Sequence, residues 1–448
     1  MAEVRAPARP GSGGARTLAR NAVGSFGMNV INVLATIGTT ILLGRLMGVS
    51  EFGSYAFVIA NVTLLGIPAI LGADRLLTRD IAVHLSRDAH GLARGLFERA
   101  QQLVIAVSLV LAIGAGTVAW FAAGGVISGS VLAFWIGVAA LPFLALGRVV
   151  QGGLMGLHHI LLGQAPEFVL RPAVLLALVM GYVLVGSTLN ATVAVFFHAA
   201  SLAVACVVSV ALLRSRTPPE VKRAVPVYET RRWASAAASL GFLSGAAVLN
   251  SQIGVALLGA ISGSESAGLY AVAQRGAMLV AFPLAAANAA MSPTVARLWA
   301  TGGRDRLQRL VTLSARGVLL AALIPAAAFI LFGRDILVLL FGAGFAPADA
   351  PLTILTLGQV GNAATGTVAT LLLMTGKQRQ AAVGITVGAV LNLALGAVLI
   401  PSMDTIGAAT AAAAGVIVSN MILVVATYRQ LGIHATALGR LAFRRSRR

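Results

Sequence analysis

Charged residues and cysteine are both scarce in this 448-residue sequence, and each scarcity excludes a class of protein. Charged residues make up 10% of the chain, whereas a soluble domain of this size would contain roughly a quarter. The single cysteine, Cys206, excludes an internal disulfide and a cysteine-based zinc site, and its apolar surroundings indicate a small buried residue. No segment has the length and polarity of a soluble catalytic domain.

Motifs for enzyme chemistry are absent as well. The sequence contains no metal-ligand spacing, no glycine-rich phosphate-binding loop and no nucleophile elbow. His158 and His159 are adjacent, so they face different sides of a helix and cannot chelate a metal as an i, i+4 pair does. Without a Walker motif the chain does not hydrolyse ATP itself, so energy must come from an ion gradient, a substrate gradient or a partner. We therefore expect no enzymatic activity and no cofactor.

Long apolar runs, by contrast, recur along the whole sequence. Runs of about 20 residues are long enough to cross a bilayer as helices. A shorter apolar stretch from Ile336 to Phe341 cannot span, and we predict a helix or turn near the membrane interface there. We predict twelve transmembrane helices at residues 22–44, 54–73, 100–123, 127–147, 161–185, 190–213, 233–260, 269–292, 313–333, 350–374, 381–400 and 406–428.

The basic residues follow the predicted spans. If the N-terminus is cytoplasmic, the predicted cytoplasmic segments hold 29 of the 33 Lys and Arg residues, and the outer loops hold only Arg45 and Arg334. This asymmetry predicts that both termini are cytoplasmic and that the number of spans is even. The formal charge of +19 does not indicate a nucleic-acid partner, because no basic domain interleaved with aromatic residues is present. The basic tail can contact anionic lipid head groups.

A stretch of the sequence repeats 215 residues later. Nine of the 27 positions from 42 to 68 are identical to residues 257–283 without a gap, and this offset is close to half the chain. Six spans in each half make the repeat parallel, which is typical of transporters whose substrate path lies between the halves. The predicted organisation is an N-terminal six-helix bundle at 1–213, a basic cytoplasmic linker at 214–232, a C-terminal six-helix bundle at 233–428 and a basic cytoplasmic tail at 429–448.

Charges inside the spans are the strongest candidates for function. Arg275 lies about seven residues into the eighth span, roughly 10 Å from its outer end. A charge at the bilayer centre costs on the order of 3 kcal/mol, so such a residue usually faces a cavity or a partner. The planar guanidinium binds phosphate at two points and stays charged. We predict that Arg275 and its neighbour Gln274 line a cavity for an anionic group; the alternative is that Arg275 extends to the outer interface.

Glu167 and Arg171 are four residues apart in the fifth span and therefore share one helix face. Two interpretations remain open. The two charges neutralise each other, or Glu167 binds a proton or cation in exchange for substrate movement, with Arg171 beside it.

Amide side chains recur within the spans, and most of them lie in spans 1, 2, 7 and 8, which are equivalent in the repeat. Any single amide is explained by hydrogen bonding between helices, which contributes only about 0.6 kcal/mol on average. As a group, the amides indicate a polar cavity between the halves. Besides Arg275 and Gln274, the predicted substrate-binding residues are Asn29, Asn32, Asn61, Asn250, Gln252 and, at the outer edge of span 1, Arg45.

Three blocks of the sequence resemble a known family. The first runs from Leu43 to Ala56, the second comprises 151–157, 162–167 and 170–172, and the third runs from Leu339 to Phe345. Their order and spacing, with the chain length and twelve predicted spans, are similar to those of O-antigen and other polysaccharide-export flippases. These flippases belong to the multidrug/oligosaccharidyl-lipid/polysaccharide exporter superfamily.

The resemblance implies an all-α membrane protein with two six-helix bundles in a V shape around a cationic cavity. It implies transport of undecaprenyl-diphosphate-linked oligosaccharide across the bacterial cytoplasmic membrane by alternating access, with proton or cation exchange as a further option. Arg275 matches a typical cavity arginine of the family, and the hypothesis is that it contacts the diphosphate. The remaining implied partners are membrane lipids and the polymerase and chain-length proteins of polysaccharide synthesis. We expect one or two cavity arginines.

Three other functions are alternatives to a polysaccharide-export flippase. A proton- or cation-coupled multidrug antiporter would need an acidic residue deep in the N-terminal half, but span 1 and the middle of span 2 contain none. A lipid II flippase typically carries several cations in spans 1 and 2, where this chain has only Arg45 at the edge. A membrane scaffold without transport activity does not account for polar residues in repeat-matched spans.

Overall fold

The computed structural model describes residues 12–126 and 128–439, with side chains from residue 24 onward except those of 127 and 243. Within these residues every regular element is helical. The first half contains α1 (Ser12–Ile70), α2 (Ala73–Ser86), α3 (His90–Ala122), α4 (Gly129–Ala139), α5 (Leu141–Gly156), α6 (Ile160–Ala165), a π-helical turn (Pro166–Leu170), α7 (Arg171–Leu184) and α8 (Ala191–Arg216). After α9 (Pro219–Arg223) follow α10 (Thr230–Ile261), α11 (Ser264–Ala300), α12 (Arg304–Phe341), a 3₁₀ turn (Ala343–Ala348), α13 (Asp349–Thr365), α14 (Val368–Met374) and α15 (Gln378–Leu431).

The described part of the chain contains nine helices that are long and apolar enough to cross a membrane. Three of them include a backbone break. The breaks at Gly48 in α1 and at Asp404 in α15 each separate two of the predicted spans within one helix. The tenth predicted span is divided into α13 and α14 at Gly366, where φ is 66°. The chain is a multi-pass, all-α membrane protein, whereas the number of twelve spans and their orientation stay predictions.

The internal repeat is visible in the backbone. Gly48 has φ 73° and ψ 179°, and its repeat equivalent Gly263 has φ 92° and ψ −179°. A side chain is strained at such positive φ, so glycine is the residue that allows this sharp turn in both halves. The two turns separate α1 into its two spans and α10 from α11, which gives spans 1–2 and spans 7–8 the same local geometry.

One segment agrees with the sequence-based expectation and one differs from it. The stretch from Ile336 to Phe341 is helical, as predicted, and forms the last turns of α12 after a break at Phe332. This short helix ends at Gly342, where φ is 104°. The predicted cytoplasmic loop 74–99 contains an unexpected helix, α2, whose fully buried Leu77 and Ile81 lie four residues apart and thus on one face.

The segment between the halves is bound to α3. Val227 N–H donates to Gly91 O at 2.9 Å, and Arg94 Nη1 donates to the carbonyl oxygens of Lys222 at 2.7 Å and Ala224 at 3.0 Å. Tyr228 Oη donates to Glu98 at 2.8 Å, and this hydrogen bond raises the pKa of Tyr228. The predicted linker is therefore anchored to the first half immediately before α10 begins. Residues 440–448 of the predicted tail lie outside the described residues.

Candidate substrate cavity

A cavity of about 580 Å³ lies between α1 on one side and α10 and α11 on the other. Both halves of the chain line the cavity. Besides α1, the first half contributes residues of α5, the π-helical turn, α7 and α8, and the second half contributes residues of α10 and α11. Its volume falls within the range of about 300–1,000 Å³ that is typical of small-molecule sites. Its charged and titratable lining residues are Tyr55, Asp74, Arg75, Arg148, Glu167, Arg171, His198 and Arg275.

Glycine pairs bring the two halves into contact at both ends of this cavity, beyond the lining at one end and within it, at Gly72 and Gly241, at the other. Near the end predicted to face outward, a Cβ on Gly53 would overlap Ser264 O, and one on its repeat equivalent Gly268 would lie 2.5 Å from Val49 O. At the opposite end, a Cβ on Gly241 would lie 2.6 Å from the carbonyl carbon of Leu71. Small residues allow transmembrane helices to approach this closely. The polar cavity lies between these two backbone contacts.

The charge of the cavity is positive. Four arginines and two carboxylates line it, an excess of two positive charges. This is more cationic than the one or two arginines expected from the sequence. Arg75 and Arg148 were missed because they lie at predicted cytoplasmic edges of spans, where the sequence favours a topology role. Tertiary packing instead places α2 and α5 against the cavity.

Glu167 is held between two arginines. Its Oε1 lies 3.5 Å from Arg148 Nη2 and 3.4 Å from Arg171 Nη2, and the Glu167 side chain is 19% exposed. It belongs to the π-helical turn, a deformation that often occurs at functional sites because it re-aims side chains. The observed geometry is that of charge neutralisation, with Arg148 as an additional partner. The role of Glu167 in coupling stays a prediction.

Replacing Glu167 by glutamine should strengthen the binding of anions. The variant keeps the shape of the side chain but leaves Arg148 and Arg171 without a counter-charge, so the positive excess of the cavity rises by one. We expect the affinity for a diphosphate probe to rise by about threefold to tenfold at low salt and the gain to shrink at high salt. Titration calorimetry at two salt concentrations measures this. An unchanged affinity with a folded protein would contradict the electrostatic role given to Glu167.

Arg275 lies at the border between two cavities. It lines the central cavity and also a smaller, apolar one formed by the first span of α1 with α11 and α12. Its Nη1 lies 3.5 Å from Met278 Sδ, a weak acceptor. Among the described residues no carboxylate forms an ion pair with Arg275. A guanidinium that is partly buried and lacks a counter-charge is suited to an anionic ligand.

The other predicted site residues divide into two groups. Asn32, Gln252 and Gln274 line the cavity, and Gln274 Nε2 also donates to Ser251 O at 2.8 Å. Four residues lie outside the lining and have other contacts: Asn29 donates to Ser25 O, Asn61 to Phe57 O, Arg45 to Leu339 O, and Asn250 Oδ1 accepts from Asn392 Nδ2. These four residues therefore make intrahelical or interhelical hydrogen bonds, and hydrogen bonding between helices is the explanation given above for any single amide.

Two neutral polar residues of the cavity were not singled out by the sequence. Tyr55 Oη and His198 Nδ1 form a hydrogen bond of 2.9 Å between α1 and α8. A signal was present for Tyr55, because it is one of the identical positions in the repeat, and for His198, because imidazole is rare within an apolar span. Neither signal distinguishes a cavity residue from a packed one without the tertiary structure.

Comparisons with known proteins agree with this architecture. The chain is similar to an inward-facing multidrug resistance MATE family transporter of the MOP superfamily, with a TM-score of 0.69 and 14% identity over 90% of this chain and 96% of the other. It is also similar to the lipid II flippase MurJ in an inward closed conformation, with a TM-score of 0.65 and 13% identity over 91% of this chain and 87% of the other. These likenesses confirm the predicted fold.

A third similar structure is a MOP superfamily transporter from Pyrococcus furiosus, described as having reversed polarity of its binding pocket; the TM-score is 0.63 and the identity 13%, over 91% of this chain and 93% of the other. No curated protein matches the sequence. The family model described as polysaccharide biosynthesis protein matches residues 18–299, which is more than half of the chain and includes every residue that lines the cavity. The chain therefore belongs to the polysaccharide biosynthesis protein family of membrane proteins.

Proposed function

We propose that this protein is a flippase that moves an undecaprenyl-diphosphate-linked oligosaccharide across the bacterial cytoplasmic membrane for cell-surface polysaccharide synthesis. The observation that carries the proposal is the positively charged cavity between the halves, with Arg275 free of a carboxylate partner among the described residues. A diphosphate linkage supplies the missing negative charge, and threonines and amides of the lining offer hydrogen bonds to a glycan.

The neighbouring apolar cavity supports the same substrate class. It begins at Arg275 and continues between Ile37, Ile41, Leu279 and Leu340. An anionic head group at Arg275 would therefore leave an attached apolar chain next to an apolar surface. Alternating access between the two glycine contacts would move the head group while the polyprenyl chain stays in the membrane. Polymerase and chain-length proteins would receive the translocated glycan, and a proton or cation gradient is the proposed energy source.

The structural similarity to a MATE family transporter suggests a multidrug antiporter as the alternative function. A cationic drug would have to enter a cavity with an excess of two positive charges, which like-charge repulsion disfavours. The cavity therefore favours an anionic substrate over a cationic one.

Flipping in reconstituted vesicles tests the proposal. A short-chain polyprenyl-diphosphate oligosaccharide is placed in the vesicles, and its exposure to an external glycan-modifying enzyme is followed with and without a pH gradient. We expect protein-dependent exposure, and acceleration by the gradient if a proton is exchanged. No exposure of any lipid-linked glycan, together with uptake of a cationic dye by the same vesicles, would replace the proposal with the antiporter reading.

A further inference from the structure

Tyr55 and His198 form a buried polar pair inside the cavity. Their hydrogen bond of 2.9 Å joins α1 to α8, and the two rings meet edge to face with centroids 5.9 Å apart. Both residues line the cavity, and Tyr55 is only 8% exposed. The imidazole is thus fixed in orientation by a partner that can act as either donor or acceptor.

The charges that face this pair are positive. Arg171 of α7 and Arg275 of α11 line the same cavity as Tyr55 and His198. Of the other elements packed against α8, α5 adds Arg148, the π-helical turn adds Glu167, and α4 has no titratable residue. On α1, Glu51 precedes Tyr55 by four residues, and its carboxylate accepts from Ala191 N–H at the start of α8. Because Glu167 is already shared by two arginines, the surrounding field opposes a further positive charge.

We infer that His198 takes up a proton when a diphosphate occupies the cavity. The Tyr55 hydroxyl then donates a hydrogen bond to the ligand and keeps its proton. This inference rests on the proposed function, because it takes the diphosphate as the ligand. A diphosphate diester carries two negative charges and offsets Arg171 and Arg275, which removes the repulsion that keeps His198 neutral. Ligand binding and proton binding then favour each other reciprocally.

The N–H bond formed at His198 Nδ1 is the only new covalent bond in the protein, and the remaining changes are rearrangements of hydrogen bonds. In the neutral state the Tyr55 hydroxyl donates to Nδ1, and Nε2 carries the imidazole hydrogen. A proton from water then binds Nδ1, and the new N–H donates to Tyr55 Oη. The hydroxyl hydrogen of Tyr55 is released from the imidazole and turns toward a diphosphate oxygen. A hydrogen bond to a charged acceptor is stronger than a neutral one, so the protonated state holds the ligand more tightly.

The internal repeat supplies a matched control. Tyr270 is the repeat equivalent of Tyr55, but it is 1% exposed, packs against Gly254 and does not line the cavity. At the same offset of 215 residues, the position that corresponds to His198 is Ala413, which cannot bind a proton. Among the described residues, Tyr270 therefore has no histidine partner at the corresponding position, and it serves as a tyrosine that is packed but not part of such a pair.

Titration calorimetry of the purified protein in detergent tests the inference. The probe is a farnesyl-diphosphate-linked sugar, a diester whose charge is constant from about pH 6 to about pH 8, and two buffers of different ionisation heat report proton uptake. For the wild type we expect uptake of part of a proton per bound probe and an affinity that falls by up to about tenfold per pH unit as the pH rises. His198→Gln should bind the probe without proton uptake and with an affinity independent of pH.

Three further variants separate the pair from other groups. Tyr55→Phe should keep the proton uptake but bind the probe about tenfold more weakly at low pH. Tyr270→Phe should match the wild type, and Glu167→Gln should retain the uptake. Proton uptake by His198→Gln equal to that of the wild type, or probe binding by the wild type without uptake, overturns the inference and leaves the proposed function standing. Failure of the wild type to bind the probe overturns both. If His198→Gln does not fold, unchanged low-pH affinity of Tyr55→Phe overturns the role of the pair.

Discussion

Replacing Gly53 by leucine is expected to abolish transport while both halves of the protein stay folded. A Cβ at this position would overlap the carbonyl oxygen of Ser264, and a Cβ on the facing Gly268 would lie 2.5 Å from Val49 O. Backbone atoms cannot move aside as a flexible side chain can. The α1 and α11 helices would have to separate, and overpacking of this kind costs about 1–3 kcal/mol. That shifts an equilibrium between closed and open ends by about fivefold to over a hundredfold.

Accessibility of the cavity measures this shift directly. In a Cys206→Ala background, a cysteine introduced at Gln252, which lines the cavity, is labelled by a membrane-impermeant maleimide from either side. Gly53→Leu should raise labelling from the side near Ser264 and reduce flipping to background. Gly38→Leu is the matched control, because Gly38 lies in the same helix with no heavy atom within 4 Å of a built Cβ. If Gly53→Leu flips substrate at the wild-type rate, the contact between Gly53 and Ser264 does not close this end of the cavity.

The opposite end should respond in the opposite sense. Gly241→Leu places its side chain against the backbone of Leu71 and Gly72, so α10 and the α1–α2 junction would have to part. Labelling of the introduced cysteine should then rise from the other side of the membrane. Equal labelling from both sides in the two glycine variants would indicate general loosening of the protein instead of two separate gates.

The sequence predicted a cavity between the two halves but not the glycine contacts beside it, although the repeat carries geometric information about them. Gly48 and Gly263 are identical in the two copies, and both adopt the same positive-φ turn. Gly53 and Gly268 are also identical, and they meet across the interface. A two-fold-like arrangement brings repeat-equivalent positions together, so identities retained at glycine are informative about close approach. The prediction that spans 1, 2, 7 and 8 line the cavity depended instead on the amide side chains in these repeat-equivalent spans.

The remaining lining residues could not be predicted from local pattern. Arg148 lies at the end of a span in sequence, and only the tertiary structure shows that it lies 3.5 Å from Glu167 of the π-helical turn. Asn250 and Asn392 are both polar positions inside apolar helices, yet their mutual hydrogen bond of 2.9 Å satisfies them away from the cavity. An amide inside a span therefore predicts burial of a polar group and does not specify its partner.

Loss of the Arg275 side chain should have the second large effect. In Arg275→Ala we expect the affinity for a diphosphate probe to fall by about tenfold to a hundredfold, since a hydrogen bond to a charged group contributes about 1.5–3 kcal/mol. Flipping should fall at least as far at low substrate concentration. Initial flipping rates measured across substrate concentrations, at equal protein density, separate weaker binding from slower movement.

Stability distinguishes a functional role of Arg275 from a structural one. A partly buried cation near Arg171 and without a carboxylate partner among the described residues costs free energy in the empty protein. Arg275→Ala should therefore melt at the same temperature as the wild type or higher, while the stabilisation conferred by the probe is lost. A lower melting temperature without the probe would mean that Arg275 supports packing.

Two other arginine variants complete this test. Arg275→Lys keeps the charge but replaces the planar two-point donor by a single ammonium, so its affinity should lie between those of the wild type and Arg275→Ala. Arg334→Ala removes an exposed arginine of α12 that lies outside the cavity, and it should flip substrate at the wild-type rate. Equal flipping by Arg275→Ala and the wild type would exclude contact between Arg275 and the diphosphate. Loss of flipping in both alanine variants would assign the effect to net charge.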